Sequence, residues 1–215
     1  MFKSVKTLSE LEKTVAPVAG AAKTGTKKYL TIGAGESVKV RFRQELTEDA
    51  RGYDEKDGTG MMVPVITSPI NWKWRAASTA SIEKFNFRCW GSEQVHKDKA
   101  WKPKTHLVIN VAVEVEPGVW EPRIIDTTFN QRHIGAILIE YAKEFGTITD
   151  RDYKYSRQGS GASDTNYSLI PLSVSETSQE IKDLPLHELE NTYLTLPYEK
   201  QERFYTTGEI SKDEW

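Results

Sequence analysis

Residues 105–129 contain the pattern that most restricts the fold of this chain. From Thr105 to Glu116 apolar residues occupy every second position, as in a strand with one buried face. Pro117-Gly118 follows as a turn, and Val119–Phe129 returns as a second strand. A lone hairpin is marginal in water, so this one needs further strands or a helix against its apolar face. The sequence therefore predicts a β protein built around this hairpin.

The surrounding elements predict a small Greek-key barrel. Val38–Arg43 alternates as a strand, and Gln131–Phe145 has an apolar stripe at helical spacing that Gly146 can end. Asp152–Arg157 and Tyr167–Ser173 read as a second hairpin. The expected fold is mainly β with few helices, an oligonucleotide-binding (OB) type of barrel with one inserted helix and extended termini. Shorter elements are predicted as strands at 70–75 and 84–90 and as a helix at 186–190.

Charge and composition divide the chain into three parts. We expect a basic N-terminal arm and linker at 1–28, the barrel at 29–175 and an acidic segment at 176–215. Residues 174–215 carry ten acidic and four basic side chains, although the net charge of the whole chain is only −2. An acidic end beside a basic middle can compete intramolecularly for the same surface as a polyanion.

The basic middle lies between Ile70 and His106. This stretch holds four of the six tryptophans and eight cationic against three acidic side chains, a local excess of five positive charges. Aromatic rings beside cations are what an unpaired nucleic-acid strand requires, because bases stack on the rings while phosphates meet the charges. Buried tryptophans among surface lysines would produce the same composition. Nucleic-acid binding is therefore a hypothesis at this point.

The sequence offers little for catalysis or for a metal. It has no phosphate-binding P-loop, no G-x-S-x-G elbow and no H-E-x-x-H motif. Cys89 is the only cysteine, and together with His96 and His106 it supplies three ligands, whereas a structural zinc site needs four. We expect no enzyme activity, no cofactor and no metal. The chain has no apolar run long enough to span a membrane and its start lacks a secretory signal, so the expected location is the cytoplasm.

Several segments resemble the single-stranded DNA-binding, or helix-destabilising, proteins of tailed bacteriophages. The start, Phe2–Leu11, is similar to their Ser/Thr-bearing basic arm. Lys104–Val111, Arg123–Ile125 and the helix at 131–145 resemble their barrel core, as does the hairpin that begins at Asp150. The chain lacks the several cysteines of their zinc subdomain. Its acidic end, like theirs, closes with an aromatic residue.

The resemblance implies a protein that coats and protects single-stranded DNA, without sequence preference, during phage DNA replication, recombination and repair in the bacterial cytoplasm. It further implies that the arm, through Lys3, Ser4, Lys6 and Thr7, contacts a neighbouring copy along the DNA. The acidic end, Asp213-Glu214-Trp215, would recruit replication or recombination proteins and compete with DNA.

The candidate DNA-binding residues combine the rings and cations of the predicted barrel. The expected stacking residues are Trp72, Trp74, Phe87, Trp90, Trp101, Tyr153 and Tyr155. The expected phosphate-binding residues are Lys39, Arg41, Arg43, Lys73, Arg75, Arg88, Lys102, Lys104, Arg123, Lys154 and Arg157.

Two other functions remain open from the sequence. Asp150 and Asp152 could hold a divalent cation in a nuclease or another DNA-processing enzyme. Alternatively, the tryptophans could anchor a protein partner in a phage assembly or interaction module.

Overall fold

The strands of the computed structural model form one open antiparallel sheet, and the protein is mainly β, as the sequence predicted. The structure describes residues 28–129, 132–161 and 164–210. Within these ranges the strands are β1 (Ser37–Phe42), β2 (Met61–Thr67), β3 (Arg75–Ala77), β4 (Lys104–Glu116), β5 (Val119–Thr128), β6 (Arg151–Gln158) and β7 (Asn166–Val174). Neighbours in the order β3-β2-β4-β1-β6-β7 pair with each other, and β5 pairs with β4 in addition. The predicted arm residues and Asp213-Glu214-Trp215 lie outside the described ranges.

Strand β4 holds three other strands in place. It pairs with β5 across a hairpin whose Gly118 has φ 79°, a left-handed conformation that glycine adopts without steric cost. On its other edge, β2 pairs with the first part of β4, with Val65 opposite Lys104. β1 pairs with the later part, with Phe42 opposite Val111. β4 has thirteen residues, so this edge is long enough to pair with β2 and then with β1, one after the other along the strand.

The described helices are α1 (Trp90–Glu93), α2 (Ile134–Phe145), α3 (Gln179–Asp183) and α4 (Tyr198–Thr207), with single 3₁₀ turns at Glu83–Phe85, Gln94–His96 and Lys99–Trp101. Two of these helices, α2 and α4, are longer than five residues, and of these α2 was predicted. α2 ends at Gly146 as expected, with φ 71°, but it begins at Ile134 because His133 is still extended. None of the helices in the described ranges combines the length and the apolar character needed to cross a bilayer.

The main core lies between the sheet and α2. The inward side of β4 supplies Leu107, Ile109 and Val111, and α2 packs Ile134 and Leu138 against them. The two tyrosines of β6 belong to the same core. This arrangement follows directly from the alternation in the sequence, since every second residue of a strand faces the same side.

Several local predictions are wrong. Residues 70–74 form a loop rather than a strand, and β3 begins only at Arg75. Residues 84–90 turn through a 3₁₀ helix into α1, and residues 186–190 are not helical. In the first two cases one aromatic residue of the segment packs against a buried cluster that includes residues of α4 (Trp74, Trp90) while another stays exposed (Trp72, Phe87), so the period of two did not reflect a strand. Strand β2 was not predicted, and it contains Pro64.

Arg41 fastens the start of the C-terminal segment to the sheet. Its side chain is only 1% exposed and lies on the face away from the main core. The guanidinium donates to the carbonyl oxygens of Ser175 (2.6 Å) and Thr149 (2.9 Å) and to the hydroxyl of Thr177 (2.9 Å). It also pairs with Asp152 at 3.1 Å. Arg41, which was predicted to bind phosphate, is thus a structural residue that links the sheet to the C-terminal segment.

The C-terminal segment then continues across the outer face of β4 and β5. Asn110 donates to the carbonyl of His187 (3.0 Å) and accepts from its backbone N–H (2.9 Å). Leu189 and Tyr193 pack with Ile124 in a second buried cluster. We call residues 184–196 the cover, because they bury this face of the sheet.

A third cluster joins the helical insertion between β3 and β4 to helix α4. Gln201, 1% exposed, is its polar centre. Its amide donates to Thr79 Oγ1 (2.9 Å) and to the Leu196 carbonyl (2.7 Å), and it accepts from the Trp90 N–H (2.9 Å). The apolar members are Ile66, Ala76, Cys89, Trp101, Leu196, Phe204 and Tyr205.

Replacing Arg41 with Met should lower the free energy of unfolding by about 1.5–3 kcal/mol, because the partly buried Asp152 carboxylate and the acceptor oxygens would lose their charged donor. Urea denaturation measures this loss. Arg51→Met is the matched control: Arg51 is 69% exposed and pairs with Asp150 at 3.0 Å, so its loss should cost at most about 1 kcal/mol. Equal effects of the two substitutions would contradict the supporting role of Arg41.

Candidate nucleic-acid interface

The loop between β2 and β3 presents a tryptophan to solvent. Trp72 is 70% exposed, although the loop is closed by hydrogen bonds on both sides of it. Asn71 Oδ1 accepts from the Lys73 N–H (3.1 Å), and the Asn71 carbonyl accepts from the Trp74 N–H (2.9 Å). Ser68 fixes the base of the loop by donating to the Tyr205 carbonyl (2.7 Å). The indole of Trp72 is therefore held outward by a structured turn.

Cations surround this loop. The ammonium of Lys73 lies 5.8 Å from the centre of the Trp72 ring. Lys102 and Lys104, both exposed, line a shallow pocket of about 190 Å³ together with Pro69 at the base of the loop. An exposed ring and three lysines, supplied by the β2–β3 loop and by the start of β4, thus come together on one part of the surface.

The same face of the sheet continues into a cluster of charged groups. Arg75 lies opposite Thr67 in the β2–β3 pair, and its guanidinium is 3.6 Å from Asp126 and 5.4 Å from the ring of Tyr193. Asp126 accepts from the Tyr193 hydroxyl (2.5 Å) and lies 2.6 Å from His106 Nδ1. This cluster ties the cover to β4 and β5.

The cluster fixes the protonation of two of its members. Burial alone would raise the pKa of Asp126, but hydrogen bonds from His106 and Tyr193 and the charges of His106 and Arg75 bring it below its usual value. Burial and the hydrogen bond to Asp126 raise the pKa of Tyr193. The carboxylate and the phenol are therefore both held in the forms that make their mutual hydrogen bond.

A second group of rings lies beyond His106, next to the β6–β7 hairpin. His133 stacks on Tyr167 with ring centres 5.3 Å apart, and Arg157 lies 6.0 Å from the same tyrosine ring. Burial lowers the pKa of His133, and the charge of His106 lowers it further. These side chains form a second group of rings with a cation, at the start of α2 and the β6–β7 hairpin.

Many of the predicted phosphate-binding residues have internal partners. Arg43 donates to the carbonyls of Ile181 (2.5 Å) and Leu184 (3.2 Å). Arg157 donates to the Ile32 carbonyl at 3.2 Å. The remaining pairs are Lys39 with Glu114 at 2.8 Å and Arg123 with Glu121, besides the Arg41 network. These side chains therefore make contacts within the protein that stabilise the fold.

The predicted stacking residues also divide into buried and exposed sets. Tyr153, Tyr155 and Trp101 are 0%, 7% and 8% exposed, so they are core residues in this structure. Trp74 and Trp90 are half-buried against the third cluster. Trp72 and Phe87 are the large predicted rings that remain exposed, at 70% and 60%. The exposed predicted cations are Lys73, Arg75, Arg88, Lys102, Lys104 and Lys154.

Sequence reasoning did not identify His106, His133 or Tyr167 as members of the interface. Tyr193 contacts His106 from 87 positions away, and no local pattern reveals such a pair. The alternation in β4 could have placed His106 on the outer face, next to the cationic start of the strand.

Residues considered for metal or nuclease chemistry do not assemble such a site. Cys89 is buried in the third cluster, whereas His96 is exposed and His106 contacts Asp126. Asp150 and Asp152 pair with arginines instead of facing each other across an open site. Across residues 28–129, 132–161 and 164–210, no three His, Cys, Asp or Glu side chains are grouped as metal ligands would be.

The cover restricts where a ligand can bind. Leu189 and Tyr193 are both 8% exposed, and exposing two such side chains would cost roughly 3–6 kcal/mol. The rim around Trp72, Lys102 and Lys104 is already open. This rim is therefore accessible without displacing the cover.

No protein-family model, no curated protein and no solved structure matches this chain. Its function is therefore inferred from its own side chains.

Asp126→Asn should lower the free energy of unfolding at pH 7 by about 1–3 kcal/mol, because the charge-assisted hydrogen bonds that fasten Tyr193 are weakened. The folded-state pKa of Asp126 is depressed, so its contribution is complete above the unfolded pKa, about 3.9, and is lost as pH falls through the folded value. The difference between wild type and variant should therefore shrink below about pH 4.

Urea denaturation at a series of pH values measures that difference. Asp49→Asn, in an exposed loop, is the control and should follow the wild-type curve. A gap between wild type and Asp126→Asn that stays constant down to about pH 2 would exclude the charged hydrogen bonds as its cause.

Proposed function

We propose that this protein binds single-stranded DNA with little sequence preference, without making or breaking a bond. The observation that carries the proposal is the exposed indole of Trp72, beside Lys73 on a structured loop whose Pro69 lines a pocket together with Lys102 and Lys104. A base can stack on the indole while the lysines meet the flanking phosphates. Neither contact reads the identity of a base.

The exposure of Trp72 is informative because the chain buries or half-buries its other described tryptophans. Leaving an indole in water forgoes the free energy that its burial would contribute. A loop that used Trp72 for packing would turn the ring towards the third cluster, as it does with Trp74 two residues later. An outward ring among lysines favours a ligand that is both flat and anionic.

The connectivity of the sheet supports an OB-type barrel as the scaffold. Apart from β2 and β3, the order is β1, the β4–β5 hairpin, helix α2 and the β6–β7 hairpin, and β1 pairs with both β4 and β6. We infer that β2, β3 and the short helices form an insertion in the first loop of such a barrel. OB-fold proteins bind oligonucleotides with that loop and with the loop between the last two strands.

The proposed path for the strand joins these two loops. It begins at Trp72, passes Lys104 beside the cover, and continues past His133 to Tyr167 at the β6–β7 hairpin. Each of these side chains is exposed or half-buried. The path avoids the outer face of β4 and β5, which the cover already occupies.

In this function the protein would coat and protect DNA strands exposed during replication, recombination or repair, as the resemblance to phage proteins implies. The nuclease alternative is less well supported, because Asp150 and Asp152 are engaged with arginines. Hydrogen bonding to Arg151 holds the pKa of Asp150 below its usual value, as an ion-paired structural carboxylate requires. Labelled single-stranded DNA should stay intact when incubated with the protein and Mg²⁺ or Mn²⁺.

Trp72→Ala should weaken binding to oligo-dT roughly 5-fold to 150-fold, the loss expected for one stacked base. Lys102→Ala combined with Lys104→Ala should reduce the slope of log affinity against log salt by about 1.4, since each phosphate contact on a single strand contributes about 0.7. Fluorescence anisotropy of a labelled oligo-dT at several salt concentrations measures both effects. Binding should also quench tryptophan fluorescence in the wild type.

Two matched controls separate these effects from general changes of the surface. Met62→Ala removes another exposed apolar side chain (55% exposed), and Lys143→Ala removes an exposed cation from α2. Both should bind oligo-dT as the wild type does. If the wild type binds no oligo-dT at low salt, or if its affinity is independent of salt, the proposal is wrong.

A further inference from the structure

Two consecutive residues after the 3₁₀ turn at Glu83–Phe85 have left-handed backbones without being glycine. Asn86 has φ 53° and Phe87 has φ 55°. Asparagine tolerates this conformation, but a side chain such as that of phenylalanine is strained in it by contact between Cβ and the backbone. The strain therefore centres on Phe87.

Hydrogen bonds fix the backbone of this turn. The N–H of Asn86 donates to the Glu83 carbonyl (2.7 Å), and the N–H of Phe87 donates to the Ile82 carbonyl (3.2 Å). The Arg88 carbonyl accepts from Thr79 Oγ1 at 2.5 Å. Such helix-ending turns usually carry glycine at the left-handed position. The turn itself gives no reason for a phenylalanine at position 87.

Packing gives no reason either. The ring of Phe87 is 60% exposed, and within the described part of the chain it makes no stacking contact with another aromatic side chain. The strained turn thus leaves the ring of Phe87 in solvent, although Cys89, two residues later, is buried in the third cluster.

Charged side chains of both signs lie near Phe87: Glu83 belongs to the same turn, and the Arg88 guanidinium is 3.4 Å from Glu93. Lys84 and Arg88 are both exposed, and the guanidinium of Arg88 is held 3.7 Å from the centre of the Tyr198 ring. Trp72 stands in the same relation to the third cluster, since Trp74 packs there two residues later. Both exposed rings are therefore followed two residues later by a side chain of the third cluster, and each is next in sequence to a lysine or arginine.

We propose that Phe87 is a second base-stacking residue, and that its strained backbone is retained because it presents the ring to a nucleobase. The bound group is a base of single-stranded nucleic acid, with Lys84 and Arg88 near its phosphates. This inference rests on the proposed function of the Trp72 region and adds a second contact to it. A second ring on the insertion lengthens the stretch of strand that one molecule engages.

The test is a pair of glycine substitutions at the two left-handed positions. Phe87→Gly relieves the strain and removes the ring, whereas Asn86→Gly changes the backbone in the same way and leaves the ring in place. Oligo-dT affinity and melting temperature are measured for both, together with Phe87→Trp. Phe87→Gly should bind roughly 5-fold to 150-fold more weakly than the wild type.

The melting temperature of Phe87→Gly should stay unchanged or rise by about 2–4 °C, because relief of strain offsets the added freedom of the unfolded chain. Asn86→Gly and Phe87→Trp should keep wild-type affinity. Wild-type affinity in Phe87→Gly would overturn the inference while leaving the proposed function intact. A fall of several degrees in its melting temperature would also overturn it, by showing that the ring supports the fold. Absence of binding by the wild type would refute the proposed function itself.

Discussion

Burial of the central hairpin on both of its faces is the constraint on which the rest of this structure depends. On the inner side, Leu107 and Ile109 pack against α2. On the outer side, Val108 and Ile124 are both 0% exposed. A sheet that is apolar on both sides needs two covering layers. Helix α2 supplies one layer and the cover supplies the other, so the cover is part of the fold.

Polar contacts hold the outer layer in addition to its apolar packing, and they explain its form. Residues 184–196 are not helical, so their backbone groups need partners outside a helix. Asn110 supplies both a donor and an acceptor to His187, and the N–H of Ala77 donates to the Leu194 carbonyl at 2.9 Å. Asp126 then fixes Tyr193. These contacts fix the register of an irregular segment that apolar packing alone would leave loosely specified.

The sequence allowed the inner layer to be predicted but not the outer one. Alternation in β4 and the stripe on α2 are local patterns, and both elements formed within three residues of the expected limits. The run Leu107–Val113 is nearly continuous in apolar residues, which is typical of a strand buried on both faces and could have indicated a second layer. The segment that forms this second layer could not be predicted. Its contact with β4 joins Asn110 to His187, which are 77 positions apart, and no local pattern marks either residue.

The same limit applies to the candidate site. Tryptophans, tyrosines and arginines in a basic segment serve equally well as core, as internal hydrogen-bond donors or as ligand contacts. Arg41 and Tyr153 became structural, whereas Trp72 and Lys102 stayed on the surface. Which of them is exposed depends on what the insertion and α4 bury, and the residues that decide this, such as Gln201 and Thr79, lie 122 positions apart.

The charge of the cover adds an electrostatic reason for a binding path along the rim. Glu188 and Glu190 are exposed on the cover, while Lys102 and Lys104 stand at the edge of the sheet. The two glutamates would repel phosphates and the two lysines would attract them. At physiological salt each effect acts on phosphates within about one Debye length of the side chain. Sterics and charge thus exclude a strand from the middle of the sheet. Under the proposed function, the cover would therefore direct DNA to the rim without moving.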